Sequence, residues 1–300
     1  MKLFDTLISA DELATAIATT PAEALVVLDC RAELGNPAAG PKAWAAGHIP
    51  NAQHANLETD LAAPAHSRGD AGGGRHPLPE RASLIECCSN WGLTQTTQVV
   101  TYDDAGGAYA ARAWWLLRWL GHRNVAVLDG GIQAWQTLPN TQLSQTSTPV
   151  VASRFEASEP LTRIASLAEV ETAVAKNAAH ATPPPTQLID ARAQARFNGE
   201  MEPIDPVAGH IPGAQCFPFS GNLGTSGLFL TPKELRTRFA ALASSEKSSS
   251  EVIAIAALAS PLPTTCWLCA LPGCPNQNSM SAHGVNGALT QGAPRRRALE

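Results

Sequence analysis

The chain has 300 residues, of which 44% are hydrophobic and 16% are charged, and its formal net charge is −5. This length accommodates two domains of ordinary size, each with its own core, and the composition is typical of a soluble globular protein. The mild negative charge gives no electrostatic reason to expect binding to nucleic acid or to an anionic membrane, and the sequence contains no apolar run that could span a bilayer.

The cysteines and the N-terminus favour a cytoplasmic protein. The seven cysteines are an odd number scattered along the chain, unlike the dense, even disulfide framework of small secreted domains. Residues 1–18 lack the basic start and long apolar run of a signal peptide, so they are predicted to form an amphipathic helix. A reducing cytoplasm is therefore the expected compartment.

Strands and helices alternate through the first half of the sequence. Short apolar runs that end in turn-forming residues predict three buried parallel strands: Leu25–Asp29, Gln98–Tyr102 and Val125–Leu128. Between the last two, residues 110–120 carry apolar side chains at spacings that give a helix a wide apolar face. Strand, helix and strand form a βαβ unit, which predicts an α/β layer structure ending near Trp135.

The second half repeats this order after a polar stretch at residues 137–153, which is typical of an interdomain linker. A helix is predicted from Ser166 and a strand at residues 187–190. After Ile253 the pattern fails, because the following residues show no helical or alternating period. The predicted organisation is a domain at 1–140, a linker at 141–160, a domain at 161–255 and a disordered tail at 256–300.

One signature occurs twice in the chain. Asp29-Cys30-Arg31 is followed by AGHIPNAQ at residues 46–53, and Asp190-Ala191-Arg192 is followed by AGHIPGAQ at residues 208–215. Each copy is introduced by a Ser-x-x-Glu capping box, which starts a helix: Ser9 with Glu12 and Ser166 with Glu169. Three matched elements in matched order indicate two copies of one domain.

Further motifs lead to a family. They are GRHPLP at residues 74–79, YDDAGG at 102–107, AWWLLR at 113–118 and LDGG at 128–131. Over residues 5–255 the chain resembles the tandem-domain sulfurtransferases, the family of thiosulfate sulfurtransferase (rhodanese) and 3-mercaptopyruvate sulfurtransferase. The resemblance implies two rhodanese-like α/β domains, each a mostly parallel central sheet flanked by helices, with the second domain incomplete after about residue 255.

The family's activity needs no cofactor. It moves sulfane sulfur from thiosulfate or 3-mercaptopyruvate to a small-molecule thiol or cyanide through a cysteine persulfide. In the family the cysteine ends a strand and begins a Gly/Ser-rich loop that enters a helix, so backbone N–H groups stabilise the thiolate. The resemblance places Asp103 at this position in the first domain, as is usual in the family, and the second domain continues instead as Ala256-Ala257-Leu258. No catalytic residue can therefore be assigned, and we expect the chain to be inactive.

A single-base frame change explains the missing loop. Suppose that the coding sequence is read from the third base of the Ile255 codon. With suitable synonymous codons, the shifted frame up to Leu268 can spell C-G-S-G-V-T-A-A-H-N-L-L-A-L, which is the family's active loop and following helix. Residues 280–286 can likewise give V-G-S-W-S-E-W, which the family carries near its end. The visible residues fix two bases of most shifted codons, so codon freedom does not easily create such matches. We hypothesise a frame change near residues 253–255.

Three residues match substrate-binding or neighbouring positions of the family. Arg196 matches the arginine that binds the anionic end of the donor, for which a guanidinium is well suited, and an interdomain ion pair is the alternative. Mercaptopyruvate-type members often carry a second arginine after Glu-Pro, where this chain has Ile204, so the donor stays open. Glu58 and His76 match an acid and a histidine that the first domain contributes near the catalytic loop, although Asp60 competes with Glu58 and a structural role suits His76 equally.

Four repeated charged residues and two repeated histidines are predicted to be structural. His48 and His210 recur in both domains, of which only one could be catalytic, so each is expected to brace a turn. Ion pairs are expected to tie the loops that follow the strands to the sheets: Asp29 with Arg31 and Asp190 with Arg192.

The remaining cysteines suggest no nucleophile. Cys266, Cys269 and Cys274 suggest a metal site, because Cys266 and Cys269 form half of a zinc motif and His283 is near. A second pair or a properly spaced histidine is missing, and the frame hypothesis makes the three cysteines accidental, so no metal is predicted. Four others lack the expected loop: Cys30, Cys87, Cys88 and Cys216. The alternative function is a non-enzymatic rhodanese-like binding or regulatory protein that uses its tail for a partner or metal.

Overall fold

The computed structural model describes residues 2–63, 76–179, 186–203, 207–242, 251–256 and 280–284. They belong to two units, each with its own internal contacts. Unit 1 is drawn from Met1–Ser67, Leu78–Leu161 and Thr225–Phe229. Unit 2 is drawn from Arg68–Pro77, Thr162–Gly224 and Leu230–Glu300. Within the described ranges, no helix combines the length and the apolar character needed to cross a bilayer.

Unit 1 is a parallel five-stranded sheet with helices. Its strands are β1 (Leu7–Ile8), β2 (Leu25–Asp29), β3 (Gln53–His54), β4 (Gln98–Tyr102) and β5 (Val125–Leu128). Its helices are α1 (Ala10–Thr19), α2 (Ala39–Ala46), α3 (Arg81–Asn90), α4 (Ala110–Trp119) and α5 (Gly131–Thr137). The strand order is β1-β5-β4-β2-β3, and every pairing is parallel. The α/β prediction and the three predicted strands are confirmed.

The first helix is shorter than the sequence predicts. The Ser9 hydroxyl accepts a hydrogen bond from the Glu12 backbone, and the Glu12 carboxylate accepts one from the Ser9 backbone, so the helix begins at Ala10. The preceding residues, Leu7 and Ile8, pair with β5 instead. The predicted helix over 1–18 was therefore wrong at its start, because the capping box and the sheet edge fix where the helix begins.

Unit 2 has the same architecture. Its strands are β6 (Arg163–Ile164), β7 (Thr186–Asp190), β8 (Ala214–Cys216), β9 (Glu251–Ala256) and β10 (Met280–Gly284). Its helices are α6 (Leu167–Ala179), α7 (Gln194–Asn198) and α8 (Pro232–Arg238). The order β6-β10-β9-β7-β8 repeats that of unit 1 strand for strand, with parallel pairing throughout. The prediction of two copies of one domain is confirmed at the level of the sheet.

The strand β10 lies in the range for which the sequence predicts disorder. Its sequence, MSAHG, has neither an apolar run nor an alternating pattern, so it gives no strand signal. Backbone pairing with β9 on one side and β6 on the other forms the strand. Here the structure differs from the prediction of a disordered tail, whereas residues 257–279 and 285–300 lie outside the described residues.

The two cores correspond in the helix that follows the first strand of each sheet. In unit 1, Leu13 of α1 packs in one cluster with Ile132 and Trp135 of α5. In unit 2, Val170 of α6 holds the place of Leu13, and the described residues include no counterpart of α5. Leu13 and Val170 are equally buried, at 0% and 1% exposure, whereas at the helix starts Leu167 of α6 is 38% exposed and Ala10 of α1 is 7% exposed.

Candidate active site

The loop after β4 forms an anion cradle that holds a carboxylate of the protein itself. Asp103 is fully buried, and its Oδ1 accepts hydrogen bonds from the backbone N–H groups of Ala105 and Gly107, both at 2.9 Å. Its Oδ2 accepts from Tyr109 at 2.7 Å and from Ala110 at 2.8 Å. Burial raises the pKa of the Asp103 carboxyl, and these four backbone bonds oppose the rise. Donors at the start of α4 are thereby satisfied by an internal anion.

The register of the two sheets identifies the counterpart of Asp103. In unit 1 Asp29 pairs with Tyr102, and in unit 2 Asp190 pairs with Ile255. Because the two aspartates begin the two copies of the repeated motif, Tyr102 and Ile255 are equivalent. The next residue along each strand is Asp103 in unit 1 and Ala256 in unit 2. An alanine methyl group can neither accept a hydrogen bond nor carry sulfur.

An ion pair braces the motif loop of unit 1. The Arg31 backbone N–H donates to Asp29 Oδ1 at 3.0 Å, and Arg31 Nη2 donates to Asp29 Oδ2 at 2.5 Å and to the Gly47 carbonyl at 2.7 Å. The Tyr102 hydroxyl also donates to Asp29 Oδ2, at 2.7 Å, and accepts from the Ile49 N–H at 3.2 Å. The predicted link between this loop and the sheet is confirmed.

The same brace recurs in unit 2. The Arg192 N–H donates to Asp190 Oδ1 at 2.9 Å, and Arg192 Nη2 donates to Asp190 Oδ2 and to the Gly209 carbonyl, both at 2.7 Å. At the position of the Tyr102 phenol this unit has Ile255, which supplies no hydroxyl. The second predicted ion pair is confirmed.

The repeated histidines brace turns, as predicted. The His48 Nδ1 donates to the Trp44 carbonyl at 2.9 Å, and the two rings stack with centroids 4.4 Å apart. The His210 Nδ1 donates to the Phe197 carbonyl at 2.8 Å, with ring centroids 3.7 Å apart. Each histidine ties the repeated AGHIP turn to an aromatic residue on the preceding helix.

The predicted donor arginine is held in an ion pair within unit 2. Arg196 Nη2 lies 2.7 Å from Glu202 Oε1, and Arg196 Nε lies 3.2 Å from Glu202 Oε2. Arg192 Nη1 approaches the same Oε2 at 3.4 Å. The sequence reasoning missed Glu202, whose signal was only a carboxylate placed six residues after Arg196. Donor binding by Arg196 stays a prediction.

Glu58 lies beside a narrow crevice in unit 1. It is half-buried, its backbone N–H donates to Asn56 Oδ1 at 2.8 Å, and it lines the crevice together with Arg31 and His54. The crevice volume of about 10 Å³ is enough for about one water molecule. The competing residue Asp60 uses its Oδ2 to accept from the Asn56 N–H at 2.9 Å, so its carboxylate holds the local turn.

His76 belongs to unit 2, as does Arg196, whereas Glu58 belongs to unit 1. The His76 side chain is buried, with 4% exposure. Burial suits both readings of this residue, since a proton carrier and a structural loop histidine can each be enclosed. The roles of Glu58 and His76 stay predictions.

The described cysteines are poor nucleophiles. Burial raises the pKa of the Cys87 thiol and of the Cys216 thiol to about 11 in each case. Burial also raises the pKa of Cys30 and of Cys88, which are both buried more deeply. The thiolate is the reactive form of cysteine, so these four side chains stay protonated near neutral pH. The other three cysteines lie outside the described residues: Cys266, Cys269 and Cys274.

Comparisons with known proteins agree with this architecture. The family described as the rhodanese-like domain matches residues 9–138. A probable 3-mercaptopyruvate sulfurtransferase of Pseudomonas aeruginosa is 47% identical over 219 residues, which cover 73% of each chain. A putative thiosulfate sulfurtransferase, SseB, of Mycobacterium tuberculosis is 38% identical over 224 residues, covering 75% of this chain and 74% of the relative.

Solved structures show the same fold. SseA from Escherichia coli, described as a 3-mercaptopyruvate sulfotransferase with the rhodanese fold, superposes with a TM-score of 0.74 at 24% identity. The superposition covers 93% of this chain and 97% of SseA. Given this fold and the identity to relatives that are matched over nearly three quarters of their length, the chain belongs to the thiosulfate/3-mercaptopyruvate sulfurtransferase family of rhodanese-like proteins.

Proposed function

We propose that this chain derives from a sulfurtransferase acting on thiosulfate or 3-mercaptopyruvate, and that it transfers no sulfur as written because unit 2 lacks the nucleophile. The observation that carries the proposal is the equivalence of Asp103 and Ala256 in the two sheets. Neither unit thus has sulfur at this strand end, and unit 2 is the one in which the family carries its catalytic cysteine.

The reaction explains why the missing atom is decisive. A cysteine thiolate attacks the outer sulfur of the donor, the bond from that sulfur to the rest of the donor breaks, and sulfite or pyruvate leaves. The persulfide then passes its outer sulfur to a thiolate or to cyanide, and the cysteine thiolate is regenerated. An aspartate or an alanine cannot form this intermediate. The four described thiols are protonated near neutral pH and do not replace it.

Arg196 is the residue proposed to bind the anionic group of the sulfur donor. A guanidinium forms paired hydrogen bonds to a carboxylate or to a sulfur oxyanion, so it suits both donors. For Glu58 and His76 we propose the roles of the family residues that they match, an acid and a histidine that moves a proton. With Ile204 in place of a second arginine, the choice between the two donors stays open. The acceptor is a small-molecule thiol or cyanide, and the cytoplasm is the proposed compartment.

The frame hypothesis accounts for the loss of the nucleophile. The shifted codon that can spell cysteine overlaps the codons of Ile255 and Ala256. The sheet register independently makes Ala256 the counterpart of Asp103. Two unrelated arguments, one from codons and one from strand pairing, therefore support the same position for the lost cysteine.

Two experiments test the proposal. The coding DNA is sequenced first, and a shifted frame spelling C-G-S-G-V-T is expected. The chain as written and a frame-restored chain are then assayed for thiocyanate formation from cyanide with each donor. Turnover is expected only from the restored chain. The proposal fails if no frame encodes the loop, or if the chain as written matches the restored one.

A further inference from the structure

Unit 2 contains a cavity of about 270 Å³ beside α6. The described residues that line it belong to one side of α6, to the start of β7 at Thr186 and to the middle of β9 at Ile253. Ala173 of α6 and Ile253 are buried, with 4% and 1% exposure. Thr172 and Lys176, which also line the cavity, are exposed. The cavity therefore has an apolar floor, formed by Ala173 and Ile253, beneath a polar rim.

The helical wall of the cavity has a counterpart in unit 1. Ser9 and Ser166 start α1 and α6 with the same capping box, so residues at equal distances from the two serines are equivalent. This spacing makes Ala16 the counterpart of Ala173, and both are buried, with 7% and 4% exposure. The side of α6 that faces the cavity therefore corresponds to a defined side of α1.

The strand wall of the cavity also has a counterpart in unit 1. Val27 pairs with Val100 in unit 1, and Leu188 pairs with Ile253 in unit 2. Val27 and Leu188 each precede the aspartate of the repeated motif by two residues, so Val100 and Ile253 are equivalent. Val100 belongs to the core cluster of unit 1, and Ile253 belongs to that of unit 2. Each floor residue of the cavity thus has a buried counterpart in unit 1.

Unit 1 places Phe4 on the corresponding side of α1. Phe4 packs against the core cluster that contains the counterparts of both floor residues. Lys2 Nζ lies 4.6 Å from the centroid of the Phe4 ring and 2.9 Å from Glu12 Oε1, so the ring is held beside the helix side that bears Glu12. The counterpart of Glu12 is Glu169, which lines the cavity. In unit 1 an aromatic ring therefore covers the surface that corresponds to the cavity of unit 2.

The sequence counterpart of Phe4 does not lie in unit 2. Counted from the two capping serines, this counterpart is Leu161, which belongs to unit 1. Its backbone N–H donates to the Arg118 carbonyl at 2.9 Å. In the described part of unit 2, the partly buried apolar side chains packed on the core cluster are Val174 and Ala214, and neither lines the cavity. No described side chain of unit 2 therefore takes the place of the Phe4 ring.

We propose that this cavity is a binding site for a small aromatic compound, a single benzene ring that carries one polar group. The ring takes the place that Phe4 holds in unit 1 and packs on Ala173 and Ile253, while the polar group stays in water at the rim. Removal of the ring surface from water drives binding. The space is sufficient, since an apolar cavity of about 150 Å³ holds benzene. Such binding needs neither a thiol nor the donor arginine, so it is independent of the proposed function.

The alternative is a gap that only water fills. In that case the NMR signals of the floor methyl groups would not respond to an aromatic compound, whereas a bound ring shifts them through its ring current. The comparison with unit 1 supplies a second distinction. If Phe4 fills the corresponding place, Phe4→Ala should open a cavity in unit 1 and create a second binding site.

The test titrates benzyl alcohol into the intact chain and follows the isoleucine and valine methyl signals by NMR. The signals of Ile253 and Val100 are assigned by conservative substitution of each residue. The Ile253 signal should shift with a dissociation constant on the order of 1 mM, which suits a ligand of this size. The Val100 signal should stay unchanged, because Phe4 covers this part of unit 1. In Phe4→Ala both signals should shift.

Two substitutions on α6 form a matched pair. Ala173→Leu fills the floor of the cavity and should weaken binding by about tenfold or more. Ala175→Leu adds the same atoms at an exposed position of the same helix that does not line the cavity, so binding should be unchanged. Circular dichroism checks that each variant is folded. Ala173→Val adds one carbon atom fewer and is the deciding variant if Ala173→Leu unfolds.

Binding at this cavity is contradicted by an Ile253 signal that does not shift, by an equal shift in Ala173→Leu, or by loss of the shift in Ala175→Leu. A Val100 signal that stays unchanged in folded Phe4→Ala would overturn the assignment of Phe4 to the corresponding place. An Ile253 signal that moves with protein concentration alone would mean that a second copy of the chain fills the cavity, which also contradicts the proposed ligand. These measurements do not depend on sulfur transfer, so the two proposals can fail separately.

Discussion

Asp103 and Ala256 hold the same position at the ends of equivalent strands, and the two residues differ in whether the side chain carries an acceptor. Around Asp103, four backbone N–H groups converge on a buried carboxylate. The Ala256 side chain is a methyl group, which cannot accept a hydrogen bond. One unit therefore has an anion cradle filled by a carboxyl group of the protein itself, and the other has a methyl group at the position where the family's chemistry begins.

The first prediction concerns the internal anion. Asp103→Asn replaces one oxygen by an amino group that faces N–H donors, so buried donors lose their acceptor. We expect the free energy of unfolding of unit 1 to fall by about 2–3 kcal/mol. Urea denaturation followed by tryptophan fluorescence measures the change. Asp104→Asn is the matched control. The Asp104 carboxylate is next to Asp103 in sequence but is exposed, so its loss should have little effect on stability.

The second prediction concerns the tight contact between the cradle loop and Phe229. Gly107 has φ of +87°, and a Cβ there would lie 3.0 Å from the Phe229 ring. Gly35 has φ of +84°, and nothing lies within 4 Å of its Cβ position. Gly35→Ala should therefore cost only the backbone strain, about 1 kcal/mol, and Gly107→Ala should cost about 1–3 kcal/mol more.

Thermal or urea unfolding of the two glycine variants measures the contribution of the Phe229 contact, because both variants have the same cost of backbone strain and differ in this contact. Phe229→Ala should remove the difference by opening the space. Equal losses of stability for Gly35→Ala and Gly107→Ala would show that the cradle loop is not packed against this segment. The segment Thr225–Phe229 is also bound through its backbone, since the Phe229 N–H donates to Asp129 Oδ1 at 2.8 Å.

The repeated motif let the sequence predict much of both units. Asp29 and Asp190 each precede an arginine by two residues, which is close enough for the ion pairs that the structure contains. The capping boxes at Ser9 and Ser166 are also formed, and each starts a helix, although the first helix was predicted to begin earlier. Such contacts are local in sequence, so the pattern of residue types is sufficient to predict them.

Other contacts have no signal in the sequence. The cradle of Asp103 is made of backbone N–H groups, which every residue except proline carries, so their convergence depends on the path of the loop. Glu202 meets Arg196 across a turn, and the intervening residues have no period that would relate the two. The strand β10 is formed by its neighbours and not by its own composition. In each case the contact depends on the folded path of the chain and not on a local pattern of residue types.

The third prediction concerns pH and the stability of unit 1. His122 is fully buried, and burial lowers its pKa below the ordinary value of 6.5. The unfolded chain then binds a proton at higher pH than the folded chain does. This contribution to stability is complete above about pH 6.5 and is lost as the pH falls from there toward the folded pKa.

Urea denaturation of the wild type and of His122→Gln at several values between about pH 7.5 and 5 measures this linkage. The variant should lose less stability on acidification than the wild type. Part of the pH dependence should remain, because burial also lowers the pKa of the half-buried His54. Parallel pH profiles for the two proteins would show that the charge of His122 is not linked to folding.

The last prediction separates the missing sulfur from the missing loop. Ala256→Cys restores a thiol at the counterpart of Asp103, but the residues that follow are Ala257-Leu258-Ala259 and not the family's Gly/Ser-rich loop. Without the Gly/Ser-rich sequence that in the family brings backbone N–H groups to the thiolate, this thiol should keep a pKa near or above about 8.5 and remain mostly protonated at neutral pH. Thiocyanate formation should therefore stay at background in Ala256→Cys and appear only in the frame-restored chain. Turnover by the single substitution would mean that the position of the sulfur is sufficient and that the loop contributes little to its reactivity.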